Sequence, residues 1–267
     1  MKKPIGIFDS GVGGLTVYKS IREAFPEEDL VYFGDTARVP YGPKSPNTII
    51  EYSIQNARFL LQQGIKTLIV ACNTSSAVAI PYLKRITNIP IIGVIEPGSE
   101  EAVRTTKNKR IGVIGTEGTI RSGAYKTAIS MLDNRIEVFS IPCPLFVPIV
   151  EEGWQEHQVA FKIASEYLDS LTDLNIDTLV LGCTHYPLLS SVIQHVIGNS
   201  VRLVDSANSV AVYLKSLIPH EHDGICGKDY FYVSDNEEKF AQIAGRILNG
   251  NINQLKRVKL FESWFVE

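Results

Sequence analysis

Thr67–Ser76 reads TLIVACNTSS and Thr178–Pro187 reads TLVLGCTHYP. Each is a run of β-branched and aliphatic residues, the signature of a strand buried on both faces. Each then gives way to a cysteine and small polar residues. Cys72 and Cys183 hold the same place in the two stretches, 111 positions apart. Two other pairs repeat at nearly the same offset and in the same order. Ile5–Ser10 (IGIFDS) matches Ile111–Thr116 (IGVIGT), and Val94–Glu96 matches Leu203–Asp205. Buried parallel strands resemble one another in any protein, so the constant offset carries the inference. It points to duplication of a unit of about 100 residues, an ordinary domain size.

Working outward, strand and helix patterns alternate along the chain. Strands are predicted at 5–8, 30–33, 67–71 and 91–95, then at 110–114, 136–140, 177–181 and 202–204, with a last one at 230–233. Helices are predicted at 14–25, from Ser45 with Pro46 at its first position to Gly64, at 75–85 with Pro81 kinking it, and at 118–132. Further helices are expected at 155–171, 188–196 and 209–217, and Ser234 with Glu237 forms a capping box for a final one. This is an α/β fold of two similar domains, each a parallel-rich sheet flanked by helices. The two are related by pseudo-twofold symmetry, with the site between them. The expected division is 1–96 plus 207–267 for the first domain and 97–206 for the second. The C-terminal excess packs back on the first half, with Phe261, Trp264 and Phe265 on that domain or at a subunit contact.

Bulk properties narrow the class. A chain of 267 residues, 45% apolar and 21% charged, has the composition of a globular protein of two domains. No apolar run is long enough for a membrane span, and the start lacks the apolar core of a signal peptide, so a cytoplasmic protein is expected. A net charge of −3 gives no general attraction to nucleic acid or anionic membrane. Cys72, Cys143, Cys183 and Cys226 show no CxxC spacing, which argues against zinc or a disulfide framework. No metal and no cofactor are expected.

In parallel α/β sheets ligands bind beyond the carboxyl ends of the strands. Asp9, Ser10, Cys72, Asn73, Thr74, Thr116, Glu151, Cys183, Thr184 and His185 fall there. Hydroxyls, amides and helix N-termini suit a carboxylate, and acidic side chains suit an ammonium, so the set fits a small zwitterion. Each cysteine precedes a helix start, where the dipole favours thiolate. A thiolate attacks a carbonyl or takes a proton from carbon. Two thiols in mirrored positions favour the second, one removing a proton and the other donating to the opposite face. Asp9 is placed to orient Cys72 or take its proton, and His185 to do so for Cys183 with help from Glu151. Cys143 and Cys226 lack symmetric partners, and His157, His195, His220 and His222 read as surface residues. The segment DSGVGGLT at 9–16 resembles the start of a dinucleotide fingerprint, with Asp35 near the ribose-binding position. However, Thr16 stands at the third glycine and Asp9 would lie against a pyrophosphate, so the glycines are read as letting substrate approach the backbone.

The combination IGIFDSGVGGLTV at 5–17, YFGDTARVPYG at 32–42, ACNTSSA at 71–77 and LGCTHYPLL at 181–189 resembles the cofactor-independent glutamate racemases. That resemblance implies conversion of L- to D-glutamate for peptidoglycan synthesis, with Cys72 and Cys183 as the two acid/base residues. It implies Asp9, Glu151 and His185 as aids to proton transfer. It implies Asp9, Ser10, Tyr41, Gly42, Asn73, Thr74, Thr184 and His185 as substrate-binding residues, Cys183 deprotonating the L-enantiomer and Cys72 the D-enantiomer, and a homodimer. Two other readings stay open: an aspartate racemase using the same pair of thiols, and a non-catalytic amino-acid-binding protein with two lobes.

Overall fold

The computed structural model describes residues 3–217 and 224–260. His220, His222, Phe261, Trp264 and Phe265 lie outside the described residues. The strands are β1 (Ile5–Asp9), β2 (Leu30–Gly34), β3 (Thr67–Val70), β4 (Ile91–Gly93), β5 (Arg110–Gly115), β6 (Glu137–Pro142), β7 (Thr178–Gly182), β8 (Arg202–Asp205), β9 (Asp229–Val233) and β10 (Leu255–Arg257). The helices are α1 (Leu15–Ala24), α2 (Pro46–Gln62), α3 (Asn73–Leu83), α4 (Ile95–Thr105), α5 (Glu117–Ser122), α6 (Ala124–Leu132), α7 (Phe146–Glu151), α8 (Gln158–Thr172), α9 (Ser190–Ile197), α10 (Ser206–Leu217) and α11 (Glu237–Leu248), with a 3₁₀ turn at Tyr186–Leu189.

Two parallel sheets result. The first runs β10-β9-β2-β1-β3-β4 and the second β6-β5-β7-β8. The core order of the first, second-first-third-fourth, is repeated in the second. In each sheet the connections leave the first and third strands in opposite directions, which opens a crevice between those strands. Asp9 ends β1 and Cys72 follows β3; Thr116 and Cys183 follow β5 and β7. The central strands β1, β2, β3, β5 and β7 are buried on both faces. Ile5, Ile7, Tyr32 and Phe231 pack beneath α1, α10 and α11, and Phe8, Phe33, Leu68 and Val70 beneath α2 and α3. The second sheet is likewise covered on both sides, by Leu168, Leu179 and Ile193 on one and Ile111, Val113, Ile129 and Val180 on the other. The C-terminal segment adds β9 beside β2 and β10 beyond it.

Several elements differ from the sequence expectation. The strand at 91–95 stops at Gly93, and Ile95 opens α4, which buries Ile95 and Ala102. The helix at 118–132 breaks at Gly123, whose φ of 67° only glycine adopts readily. The helix expected from Gln155 begins at Gln158 because His157 caps it, Nδ1 accepting from Val159 N. The Ser234–Glu237 capping box does not form. Asn236 caps α11 instead, accepting from Lys239 N, because the Ser234 hydroxyl donates to Asp35 Oδ1 at 2.9 Å. Pro81 sits in the last turn of α3 and does not interrupt it.

Candidate active site

Cys72 is the N-cap of α3, and Cys183 follows β7 just ahead of the 3₁₀ turn. Both are 5% exposed. They line one small cavity of about 30 Å³ together with Ser10, Tyr41, Gly42, Asn73, Thr74, Thr116, Thr184 and His185. One thiol therefore comes from each sheet, and both meet in the same small cleft. It adjoins an apolar chamber of about 390 Å³ lined by Val39, Pro40, Pro43, Val147, Pro148 and Glu151. A larger hollow, about 680 Å³, lies along β8 and α10, away from both thiols, and is lined by neither a cysteine nor a histidine. Size does not identify the reactive centre here; the converging side chains do.

The two thiols have different neighbours. Asp9 is fully buried and stands behind Cys72, off the cavity wall. Its Oδ2 accepts from Gly11 N at 2.9 Å, and its Oδ1 has no protein partner. Burial pushes the Asp9 carboxyl up, against the positive charge of His185 and the N–H groups of Gly14, Gly11 and Ser10. Burial and the Asp9 charge together push the Cys72 thiol up to about 11, against hydrogen bonds from Ser75 and Ser10. The helix N-terminus was expected to favour thiolate at Cys72; desolvation outweighs it, and Cys72 rests as a thiol.

On the other side, Cys183 Sγ lies 3.8 Å from His185 Nδ1, and His185 Nε2 lies 3.1 Å from Glu151 Oε1. Burial opposes the charged imidazole, but its bonds to Cys183 and Glu151 outweigh that and push it up to about 10. Glu151 feels the converse. Burial raises it, while the hydrogen bond and charge of His185, with Lys239, hold it below its ordinary value. A protonated imidazole thus sits beside one sulfur, and a neutral thiol waits at the other.

Two glycines of the motif are required by the protein's own packing. A Cβ on Gly13 would stand 2.4 Å from both His185 Nδ1 and Thr184 Oγ1, and one on Gly14 would stand 2.4 Å from Asp9 Cβ. Gly13 lets His185 and Thr184 of the second lobe reach the first, and Gly14 makes room for Asp9 within the first. Thr16 takes part, its one hydroxyl proton shared between the Gly13 carbonyl at 2.9 Å and the Thr184 carbonyl at 3.0 Å across the cleft. Thr74 and Thr116 join the two sides at 2.9 Å. Tyr41 lines the cleft, but its phenol is turned into the wall, donating to Asp35 and accepting from Asn56 Nδ2 at 3.1 Å. Asp35, also fully buried, carries an ion pair to Arg38 at 2.6 Å and holds the loop that supplies Tyr41 and Gly42. Sequence reading missed the roles of Gly13, Thr16 and Asp35. Asp35 and the glycines carried a signal, a buried-strand carboxylate and a dense glycine run, but their partners are distant in sequence.

Two like α/β lobes thus each bring one buried thiol to a single small cleft, an arrangement suited to handling protons on two faces of a small substrate. The sequence model of the family described as Asp/Glu/Hydantoin racemase matches residues 5–214, and the chain belongs to that family. A glutamate racemase of Geobacter metallireducens is 49% identical over 265 residues, covering 97% of each chain. The crystal structure of a glutamate racemase isoform from Bacillus anthracis superposes with a TM-score of 0.93 at 39% identity, over 97% of this chain and 98% of that one. That of glutamate racemase from Francisella tularensis in complex with D-glutamate gives 0.90, also at 39% identity and the same coverage. No helix among the described residues is long and apolar enough to cross a membrane.

Proposed function

We propose that this chain interconverts L- and D-glutamate by two-base proton transfer at the α-carbon, supplying D-glutamate for peptidoglycan. The observation that carries this reading is the pair of buried thiols, one from each sheet, facing a single small cleft. Its family and its relatives named glutamate racemase support the substrate. In one direction the Cys183 sulfur takes the α-hydrogen as a proton and the electron pair stays on the α-carbon. The Cys72 thiol then donates its proton to the opposite face, leaving Cys72 as thiolate and Cys183 as thiol. The reverse direction exchanges the roles. The resting charges favour the first direction as written, since Cys72 begins protonated and the protonated His185, backed by Glu151, offers a positive charge beside Cys183.

Asp9 acts on Cys72 from behind, as His185 and Glu151 act on Cys183. Ser10, Gly42, Asn73, Thr74, Thr116 and Thr184 hold the substrate's charged groups, and Tyr41 contributes as wall. Exclusion of water from a cleft this tight strengthens every one of these interactions, so the lobes must part to admit glutamate and close over it. The lobes correspond to residues 1–96 plus 207–267 and to 97–206. A cytoplasmic homodimer accompanies this reading, and sedimentation would test the dimer.

The deciding experiment follows the circular dichroism of L-glutamate with purified reduced protein and no cofactor, with L-aspartate in parallel. Decay for glutamate alone supports the proposal, and decay for aspartate alone moves the activity to that substrate. If neither decays, the binding-protein reading replaces it. Cys72→Ala and Cys183→Ala are each expected to abolish racemisation, and full activity in either sinks the two-base account.

A further inference from the structure

Two arginines tie the lobes together, each reaching a main-chain carbonyl of the other lobe. Arg121, in α5, donates through Nη2 to the Lys44 carbonyl at 3.1 Å, in the loop that supplies Tyr41 and Gly42. Arg246, in α11, donates through Nη2 to the Glu151 carbonyl at 2.8 Å.

The second contact falls on the Cys183 side of the site. α7 is six residues long and ends at Glu151. A carbonyl at a helix end has no partner within its own helix. Arg246 supplies one, and a cation there suits the negative end of the helix. The side chain of the same Glu151 bonds His185 Nε2 at 3.1 Å, and His185 Nδ1 faces Cys183 Sγ at 3.8 Å. The guanidinium therefore holds the main chain of the residue whose carboxylate holds the imidazole.

Two further features fit this contact. The chain turns away from α7 at Gly153, with a φ of 77° that glycine adopts readily. A Cβ there would strike the Arg246 guanidinium, the only group it would meet within 4 Å among the described residues. Lys239 lies seven positions before Arg246, two turns earlier on the same face of α11. Phe240, Ile243 and Ile247 turn the opposite face into the core of the first lobe. Lys239 brings positive charge to Glu151, whose carboxyl burial pushes up and His185 and Lys239 draw down. The second sheet has no counterpart of β9, α11 and β10, so this brace serves the Cys183 side alone.

We propose that Arg246 is a positioning residue for proton transfer at Cys183: reaching across from the first lobe, it pins the Glu151 main chain and so sets the carboxylate that orients His185. The inference rests on the two-base reading above.

The test uses Arg246→Met in the full chain, which keeps the length of the side chain, with α-deuterated L- and D-glutamate. kcat/KM is expected to fall about 10-fold in both directions, equivalent to about 1.4 kcal/mol. The isotope effects separate positioning from packing. When transfer at Cys183 slows relative to transfer at Cys72, C–H cleavage by Cys183 becomes more fully limiting in one direction. In the other, the limiting step becomes reprotonation from Cys183, which follows C–H cleavage. The primary deuterium effect on kcat/KM should therefore rise for the enantiomer that Cys183 deprotonates and fall for the other. An unchanged kcat/KM overturns the proposal, as does a loss of activity with both isotope effects unaltered. Adding Arg246→Met to Glu151→Gln should cost little more, since the carboxylate it positions is gone; a full further 10-fold loss overturns the proposal. The same isotope asymmetry in Arg121→Met would show that any loosened contact between the lobes produces it, and would also overturn the assignment. If Arg246→Met does not fold, Gly153→Ala displaces the guanidinium and must give the asymmetry instead; its absence there is equally fatal. A wild type that does not racemise glutamate would fail the underlying reading first, and the inference with it.

Discussion

Gly13→Ala adds a single methyl group at the point where the glycine loop of one lobe meets His185 of the other. Gly13 does not lie in the left-handed region, so alanine is allowed by the backbone and the effect is steric. The new Cβ would stand 2.4 Å from His185 Nδ1, 2.5 Å from its Cε1 and 2.4 Å from Thr184 Oγ1, where ordinary contact begins at 3.4 Å. His185 and Thr184 must each retreat by about 1 Å, and both are closely packed, so they can do so only if the lobes separate slightly. A shift of that size strains the 3.8 Å contact to Cys183 or the 3.1 Å bond to Glu151. Misplacement by about 1 Å at reacting groups costs on the order of 100-fold in rate, and overpacking costs about 1–3 kcal/mol of stability. The assay is circular dichroism of glutamate racemisation started from each enantiomer. The equilibrium constant between enantiomers is unity, so kcat/KM must fall by one factor in both directions. Gly11→Ala is the control, since its Cβ would meet only Val39 at 3.4 Å and should leave kcat/KM nearly unchanged. A Gly13→Ala enzyme with wild-type kcat/KM and stability would refute the steric account of the glycine motif.

Glu151→Gln removes a negative partner of His185, so the alkaline limb of the kcat/KM–pH profile assigned to that imidazole is expected to move to lower pH; an unmoved limb would detach Glu151 from His185. The imidazole's folded value, about 10, stands above its ordinary 6.5, so its stabilisation is complete below pH 6.5 and lost as pH rises through 10. The unfolding free-energy gap between wild type and His185→Asn, measured in urea, should accordingly be widest near the lower value and close at the upper. Asp35→Ala leaves Arg38 buried without its carboxylate, and breaking such a pair costs about 3–5 kcal/mol; urea melts should record that loss, and KM should rise as the loop carrying Tyr41 and Gly42 loosens. Iodoacetamide at pH 8 is expected to label the exposed Cys226 ahead of the buried Cys72, whose thiol is held near 11, with racemisation retained after Cys226→Ser.

The repeated strand-cysteine segments were readable without coordinates because a strand buried on both faces must be aliphatic throughout, so its end is marked where polarity returns. That alone placed Asp9, Cys72, Thr116 and Cys183 at strand ends and predicted two like sheets with a thiol on each. Local caps were less legible. Ser234 has the spacing of a capping box, but its hydroxyl is drawn to Asp35, 199 residues earlier in the chain. Side-chain roles that depend on the lobes meeting could not be read at all. Gly13 makes room for His185, Tyr41 buries its phenol against Asp35, and Asn73 bonds the Tyr125 hydroxyl of the other lobe. The protonation contrast between the two thiol sites belongs to the same class. A helix N-terminus is visible in sequence, whereas the burial that overrides it at Cys72 and the imidazole that serves Cys183 arise only when two sheets close on one cavity. Periodicity and polarity are local properties and specify the elements; desolvation and hydrogen-bond direction depend on neighbours far along the chain, and only the tertiary structure sets them.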